Sequence, residues 1–170
     1  MAIPLMTYQY FTSGRLAIAG LAGNDSAAQA HQAAMQKHIN EFEPHYLKRL
    51  LGKDLYDAFK LGMSVTTPDA RWSDLAAQIY DATNKKSPLA NVVWYKWMVD
   101  HQTLNTMSGI KKMTAADSVS SNNAQMTTGI FNEAVDAFKD IYDWLEENEA
   151  DYPEWEHEDF SFSKINIFDI

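Results

Sequence analysis

Three histidines, His31, His38 and His45, stand seven residues apart, and three imidazoles that converge can hold a zinc ion. On an unbroken helix that spacing keeps them near one face. A seven-residue step is nevertheless too long for adjacent ligands, and Pro44 is expected to break the helix between the second and the third. Exposed or interface histidines are the expectation. Di-iron bundles need Glu-x-x-His on each of two helices; here the pattern occurs once, at Glu154 and His157, directly after Pro153. His101 has Asp100 and Asp140 as acid–base partners to weigh, but no serine elbow, phosphate-cradling glycine loop or second histidine motif accompanies it. Trp72, Trp94, Trp97, Trp144 and Trp155 offer a stacking platform, although aromatics at helical spacing more often form core or protein interface. The acidic run over 146–159 lacks the loop pattern, with glycine at its sixth position, that calcium requires. There is no cysteine, hence no thiolate ligand, disulfide or cysteine nucleophile. No catalytic, cofactor-binding or metal-ligating residue is nominated, and the chain is expected not to be an enzyme.

With 170 residues and 46% apolar content, the chain is long enough for one domain with a real core and too apolar to be wholly disordered. The net charge of −9 is concentrated: residues 146–159 hold eight carboxylates and no lysine or arginine, whereas the chain up to Leu145 is almost neutral. Phosphate binding depends on clustered Lys and Arg. The pairs Lys85–Lys86 and Lys111–Lys112 are too sparse for it, so a DNA reader is not expected. No apolar run approaches the ~20 residues that cross a bilayer. The start MAIPLMTYQYF has no basic region ahead of an apolar stretch, so a secretory signal is not expected.

The elements that must position these side chains are helical. Residues 1–23, punctuated by Gly14, Gly20 and Gly23, read as an extended arm with one short strand. Asn24, Asp25 and Ser26 are competent N-caps, and the alanines behind them predict a first helix over Ser26–Glu43. Pro44 disfavours helix at Glu43 and suits the start of a second helix, with Leu47, Leu50, Leu51, Leu55 and Phe59 on one stripe. Gly52 within it either permits close packing or ends a short first piece. Thr67-Pro68 opens a short third helix carrying Trp72, Leu75, Ala76, Ile79 and Tyr80. Ser87-Pro88 caps a fourth, apolar on nearly every side through Leu89, Val92, Val93, Trp94, Tyr95, Trp97 and Met98, and so expected to be central. Residues 108–125 read as a loop. Met126, Ile130, Ala134, Phe138, Ile141 and Leu145 form the stripe of a fifth helix, closed by Pro153. Behind the acidic segment, Phe160, Phe162, Ile165, Ile167, Phe168 and Ile170 make a β-prone tail suited to docking on a neighbour or on its own domain. The fold class is therefore all-α, a bundle of four to five helices. Its predicted divisions are an arm (1–23), a helical domain (24–150) and an acidic linker with an apolar tail (151–170).

From about Ala28 to Leu145 the order of elements resembles the head–tail connector (adaptor) proteins of tailed bacteriophages, notably the branch in phages of gut Bacteroidetes. The resemblance rests on HINEFEPHYLKRLLGKDLYDAF, on RWSDL, on PLANVVWYKWMVDHQTLNTMSGI and on a last helix near FNEAVDAF. Its most suggestive phrases are Tyr46…Leu51-Gly52…Leu55-Tyr56 and Trp94-Tyr95-x-Trp97. It implies a helical subunit that assembles as a ring, usually a dodecamer, beneath the portal in the virion neck. Such a ring extends the DNA conduit without sequence-specific binding and offers a docking surface to the next tail or neck component. No catalytic residue, cofactor or membrane is implied. Leu51, Leu55, Trp94, Tyr95 and Trp97 are then candidates for core or subunit interface. Two alternatives stand beside it: a transient helical scaffold or chaperone for virion assembly, and a small helical metalloenzyme with a histidine site.

Overall fold

Helices begin where a side chain can satisfy the first free amides. The Asp25 carboxylate accepts a hydrogen bond from the Ala28 N–H at 2.8 Å, and the alanine-rich stretch behind it propagates the turn. The computed structural model describes residues 6–101, 103–106, 109–112, 121–156 and 159–166. In it the first helix, α1, spans Ser26–Leu51 and runs straight through Pro44, which corrects the expected boundary at Glu43. Pro44 removes one backbone bond, at a cost of about 3 kcal/mol. Buried Met35 and Ile39 before it, and Tyr46, Leu47, Leu50 and Leu51 after it, offset that loss. The break falls at Gly52, whose φ of 75° and ψ of 169° lie in a region essentially reserved for glycine. Helix α2 follows over Lys53–Gly62.

Helix α3 covers Ala70–Ile79, capped by Asp69, and α4 covers Pro88–His101. The Ser87 hydroxyl accepts from the Leu89 N–H at 3.2 Å, as the cap-plus-proline pattern predicts. Beyond His101 the chain turns to strand: β1, Thr103–Thr106, pairs antiparallel with β2, Gly109–Lys112, placing Thr103 opposite Lys112. Thr103, Thr106 and Ile110 are β-branched and favour a pleated backbone. Helix α5 then runs from Ser121 to Glu147. The loop expected over 108–125 is thus, where described, a strand and the first turn of a helix. The chain is mostly helical, as the all-α reading predicts, and the hairpin is its exception among the described residues.

Helix α4 is central. Its buried Leu89, Ala90, Val92, Val93, Trp94 and Trp97 face both α1 and α5. The α5 stripe of Ile130, Ala134, Phe138, Ile141 and Leu145 is buried, whereas Met126 at its head is exposed. At the α2–α3 corner the backbone of Gly62 sits against the Trp72 ring, where a Cβ would lie 2.2 Å from it. Among the described residues no helix is long and apolar enough to cross a membrane.

The ends, read from the sequence as an arm and a tail, pack into the same core as the helices. Met6, Phe11 and Leu21 at one end and Tyr152, Trp155 and Phe162 at the other join one buried cluster with the helices. Instead of an extended arm with a strand, residues 8–16 form two 3-10 turns, Tyr8–Phe11 and Gly14–Leu16. Two glutamines of α1 hold the arm by its backbone. Gln36 accepts from the Tyr8 N–H at 3.3 Å and donates to the Met6 carbonyl at 3.4 Å, and Gln32 donates to the carbonyls of Leu21 and Gly23 at 2.8 and 2.9 Å. A buried irregular backbone needs such partners.

Candidate functional site

The three histidines share one continuous helix after all, yet they do not converge. Seven residues of helix rise about 10 Å, and each ring has a different neighbour. His31 is exposed beside Gly20, and His45 is exposed with its ring edge-on to Tyr46 at 5.1 Å. His38 is half-buried between Phe42 (4.6 Å) and the edge of Trp97 (5.3 Å). Burial lowers its pKa, although Asp100 pulls it upward. His101 stacks on the other side of this cluster, 3.8 Å from the Trp97 ring, with Nδ1 2.9 Å from the Trp97 carbonyl oxygen. Nε2 of His38 and Nε1 of Trp94 are buried with no hydrogen-bond partner among the described residues. Among those residues, no group of three His, Asp or Glu side chains converges as a metal site would require. His157 lies outside the described residues, and Glu154 is engaged by Arg71.

The carboxyl that the sequence reading missed is Glu43. It is 4% exposed, one turn before Leu47, and accepts from the Tyr80 hydroxyl at 2.8 Å. Burial pushes its pKa up to about 7, against the opposing pull of that hydroxyl and of the Met6 backbone N–H. Tyr80 is raised well above the usual tyrosine value, by burial first and then by the Glu43 charge; Tyr10 is raised in the same order, and for Tyr56 the Asp57 charge intervenes before that of Glu43. One buried acid, ringed by tyrosines, joins the arm, α1 and α3. A signal existed: Met35, Ile39, Glu43 and Leu47 form a step-of-four series in which Glu43 occupies an apolar slot.

The acidic segment, expected as a solvated linker, is anchored. The Arg71 guanidinium lies over Trp72 at 3.9 Å, forks onto both Glu154 oxygens at 3.0 Å and donates to the Asp151 carbonyl at 3.1 Å. The Tyr152 hydroxyl donates back to the Arg71 carbonyl at 2.7 Å. Burial raises the Glu154 carboxyl, but the Arg71 bonds, its own backbone bond and the Arg71 charge outweigh that and leave it below its usual value.

The tail then runs antiparallel along α5. Trp155 and Phe160 meet Tyr142 at 5.2 and 5.6 Å, Phe162 meets Phe138 at 4.6 Å, and Lys164 pairs with Asp136 at 2.7 Å. Phe162 is buried, stacked on Tyr46 and covered by the Arg49 guanidinium at 4.6 Å. Arg49 also donates to the Ser161 hydroxyl and carbonyl. Ile165, half-buried, receives both backbone bonds from one side chain: its N–H donates to Asn132 Oδ1 at 2.8 Å and its carbonyl accepts from Asn132 Nδ2 at 3.0 Å. Over 159–166 the tail lies on its own bundle without forming a strand. Ile167, Phe168 and Ile170 lie outside the described residues.

Of the interface candidates, Leu51, Leu55, Trp94 and Trp97 are buried in the chain's own core, and half-buried Tyr95 packs on Phe131 at 4.9 Å. Two surface concavities stand out among the described residues. A cleft of about 660 Å³ is lined by Tyr10, Arg15, Lys85, Lys86, Asn91 and Glu133. Its charges are largely spoken for: Arg15 pairs with Glu133 at 2.6 Å, and Asp81 accepts from the N–H groups of Thr83 and Asn84. A groove of about 560 Å³ at the α2–α3 corner is lined by Ala58, Leu61, Val65 and Trp72; there Leu61 is 71% and Val65 52% exposed. No family model, curated protein or solved structure matches the chain.

Proposed function

We propose that this chain is a structural virion protein of a tailed bacteriophage, a head–tail connector subunit that forms a ring beneath the portal. That ring extends the DNA conduit and presents the surface on which the next neck or tail component assembles. The observation that carries the reading is the role taken by the two phrases on which the resemblance rests. Tyr46…Leu51-Gly52…Leu55-Tyr56 forms the elbow between α1 and α2, and Trp94-Tyr95-x-Trp97 forms the helix packed between α1 and α5. Residues of the same phrases thus define the frame of the fold instead of decorating it. The near-neutral body and the exposed carboxylates Glu146, Glu147, Glu149 and Asp151 suit a conduit past which DNA must slide, since binding phosphate requires clustered cations.

Electron microscopy tests this directly. The purified chain is expected to form closed rings, and a gold label on it is expected at the neck of the finished particle. A chain that is present during assembly but absent from finished particles would instead be a transient scaffold. Stoichiometric metal in the purified protein would favour the histidine enzyme.

A further inference from the structure

Three side chains of α1 hold the backbone of the segment that precedes it. Gln32 donates to the carbonyls of Leu21 and Gly23. Gln36 accepts from the Tyr8 N–H and donates to the Met6 carbonyl, and Glu43 accepts from the Met6 N–H. At about 100° of helix per residue, positions 32, 36 and 43 fall within about 40° of one another and form one row. Met6 is thus gripped from both sides, its carbonyl by Gln36 and its N–H by Glu43. Two members of the row are amides, which carry no charge at any pH. The third holds the backbone in the same way with a group that can ionise.

Glu43 is 4% exposed, and no lysine, arginine or histidine among the described residues pairs with it. Tyr80 of α3 donates to it at 2.8 Å, and Tyr10 of the first 3-10 turn and Tyr56 of α2 lie within its field. Behind these stand Asp81 and Asp57, with the Lys85 ammonium 5.6 Å from the Tyr10 ring. All three tyrosines are raised above their ordinary value, so Glu43 is the member of this cluster that titrates near neutrality. An ionised carboxylate without a cation has to reach water, and two elements cover this one. Tyr80 is fixed: its N–H bonds the Ala76 carbonyl at 2.8 Å, and Asp81 beside it exchanges both backbone bonds with Lys86. The preceding segment has two short 3-10 turns, whose hydrogen bonds are the weaker kind. Segments of that sort open locally while the rest stays folded.

We infer that Glu43 is a pH-operated clasp: protonated, it keeps residues 6–21 closed on α1, and ionised, it lets that segment lift and admit water while the helices stay packed. Burial raises the carboxyl from 4.5 to about 7 in the closed state. Closure is therefore complete below about pH 4.5 and weakens as pH rises toward 7. At tenfold per pH unit, the opening equilibrium rises on the order of 300-fold across that window and is level above it. The clasp is independent of the ring reading and stands whether or not copies of the chain assemble.

Amide hydrogen exchange tests this on the full chain, once rates are corrected for the pH dependence of free amides. At pH 8 the amides of residues 8–21 are expected to open more readily than those of 130–145 in α5. Their opening equilibrium is expected to exceed its value at pH 4.5 on the order of 300-fold. In Glu43→Gln the same amides are expected to keep one opening equilibrium at both pH values. Residues 8–21 exchanging no faster than α5 at any pH would mean that they open only with the whole bundle. An opening equilibrium that ignores pH would mean that Glu43 is not the latch, and a parent-like rise in folded Glu43→Gln would assign the trigger to another group. Each of these overturns the inference, and the first two are read on the parent chain alone, whatever the variant's folding.

Discussion

At the scale of single residues the decisive feature is Glu43. Its ordinary carboxyl value of 4.5 is raised to about 7 in the folded chain, chiefly by burial. Between those two values the folded protein keeps a proton that the unfolded chain has released. Stability from this group is therefore intact below about pH 4.5, falls as pH rises toward 7, and is flat above. At about 1.4 kcal/mol per pH unit the loss is on the order of 3 kcal/mol. Glu43→Gln keeps an acceptor for the Tyr80 hydroxyl and cannot ionise. Thermal melts are expected to show the variant more stable than the parent at pH 8, with little difference at pH 4.5; equal melting temperatures at pH 8 would mean the carboxylate is not penalised. His38, whose pKa burial lowers, acts in the opposite sense on the acid side, so the two chains must be compared at the same pH.

At the scale of elements, the α1–α2 elbow depends on one backbone conformation. Gly52 adopts a positive φ with open space where a Cβ would stand. Gly52→Ala thus tests conformation without steric clash. Holding a non-glycine residue there costs about 1–3 kcal/mol, and the expected result is an unfolding free energy lowered by that amount, seen as a lower denaturation midpoint with an unchanged slope. No change would show that the elbow relaxes freely. Gly62 is the contrasting case, where the cost of a side chain would come from the Trp72 ring it meets.

At the scale of the whole molecule, the bundle is incomplete without its ends. Removing residues 160–170 takes Phe162 from between Tyr46 and Phe138 and releases Arg49, Asp136 and Asn132 from their partners. Loss of a buried phenylalanine alone costs about 3–5 kcal/mol, so the truncated chain is expected to melt well below the parent and to expose apolar surface to a hydrophobic dye. A near-normal melting temperature would instead show that the tail contributes little to the subunit and serves only its neighbours.

The sequence by itself determined the helices, because their signals are local. The period-3.6 stripe from Ile130 to Leu145, the Ser87-Pro88 start and the Asp25 cap each lie within a few turns of what they control. The seat of the net charge is equally legible. What only the tertiary structure decided is where local and distant preferences compete. Pro44 marks a helix end locally and is overridden by core contacts on both sides of it. Glu43 becomes a hydrogen-bonded buried acid only once Tyr80 is brought to it. The tail reads as a strand in search of a sheet and finds its backbone partners on the Asn132 side chain. Arg15 meets Glu133 across 118 positions and Arg49 meets Ser161 across 112. No periodicity encodes such pairings, since they follow from which apolar faces bury one another once the helices have formed.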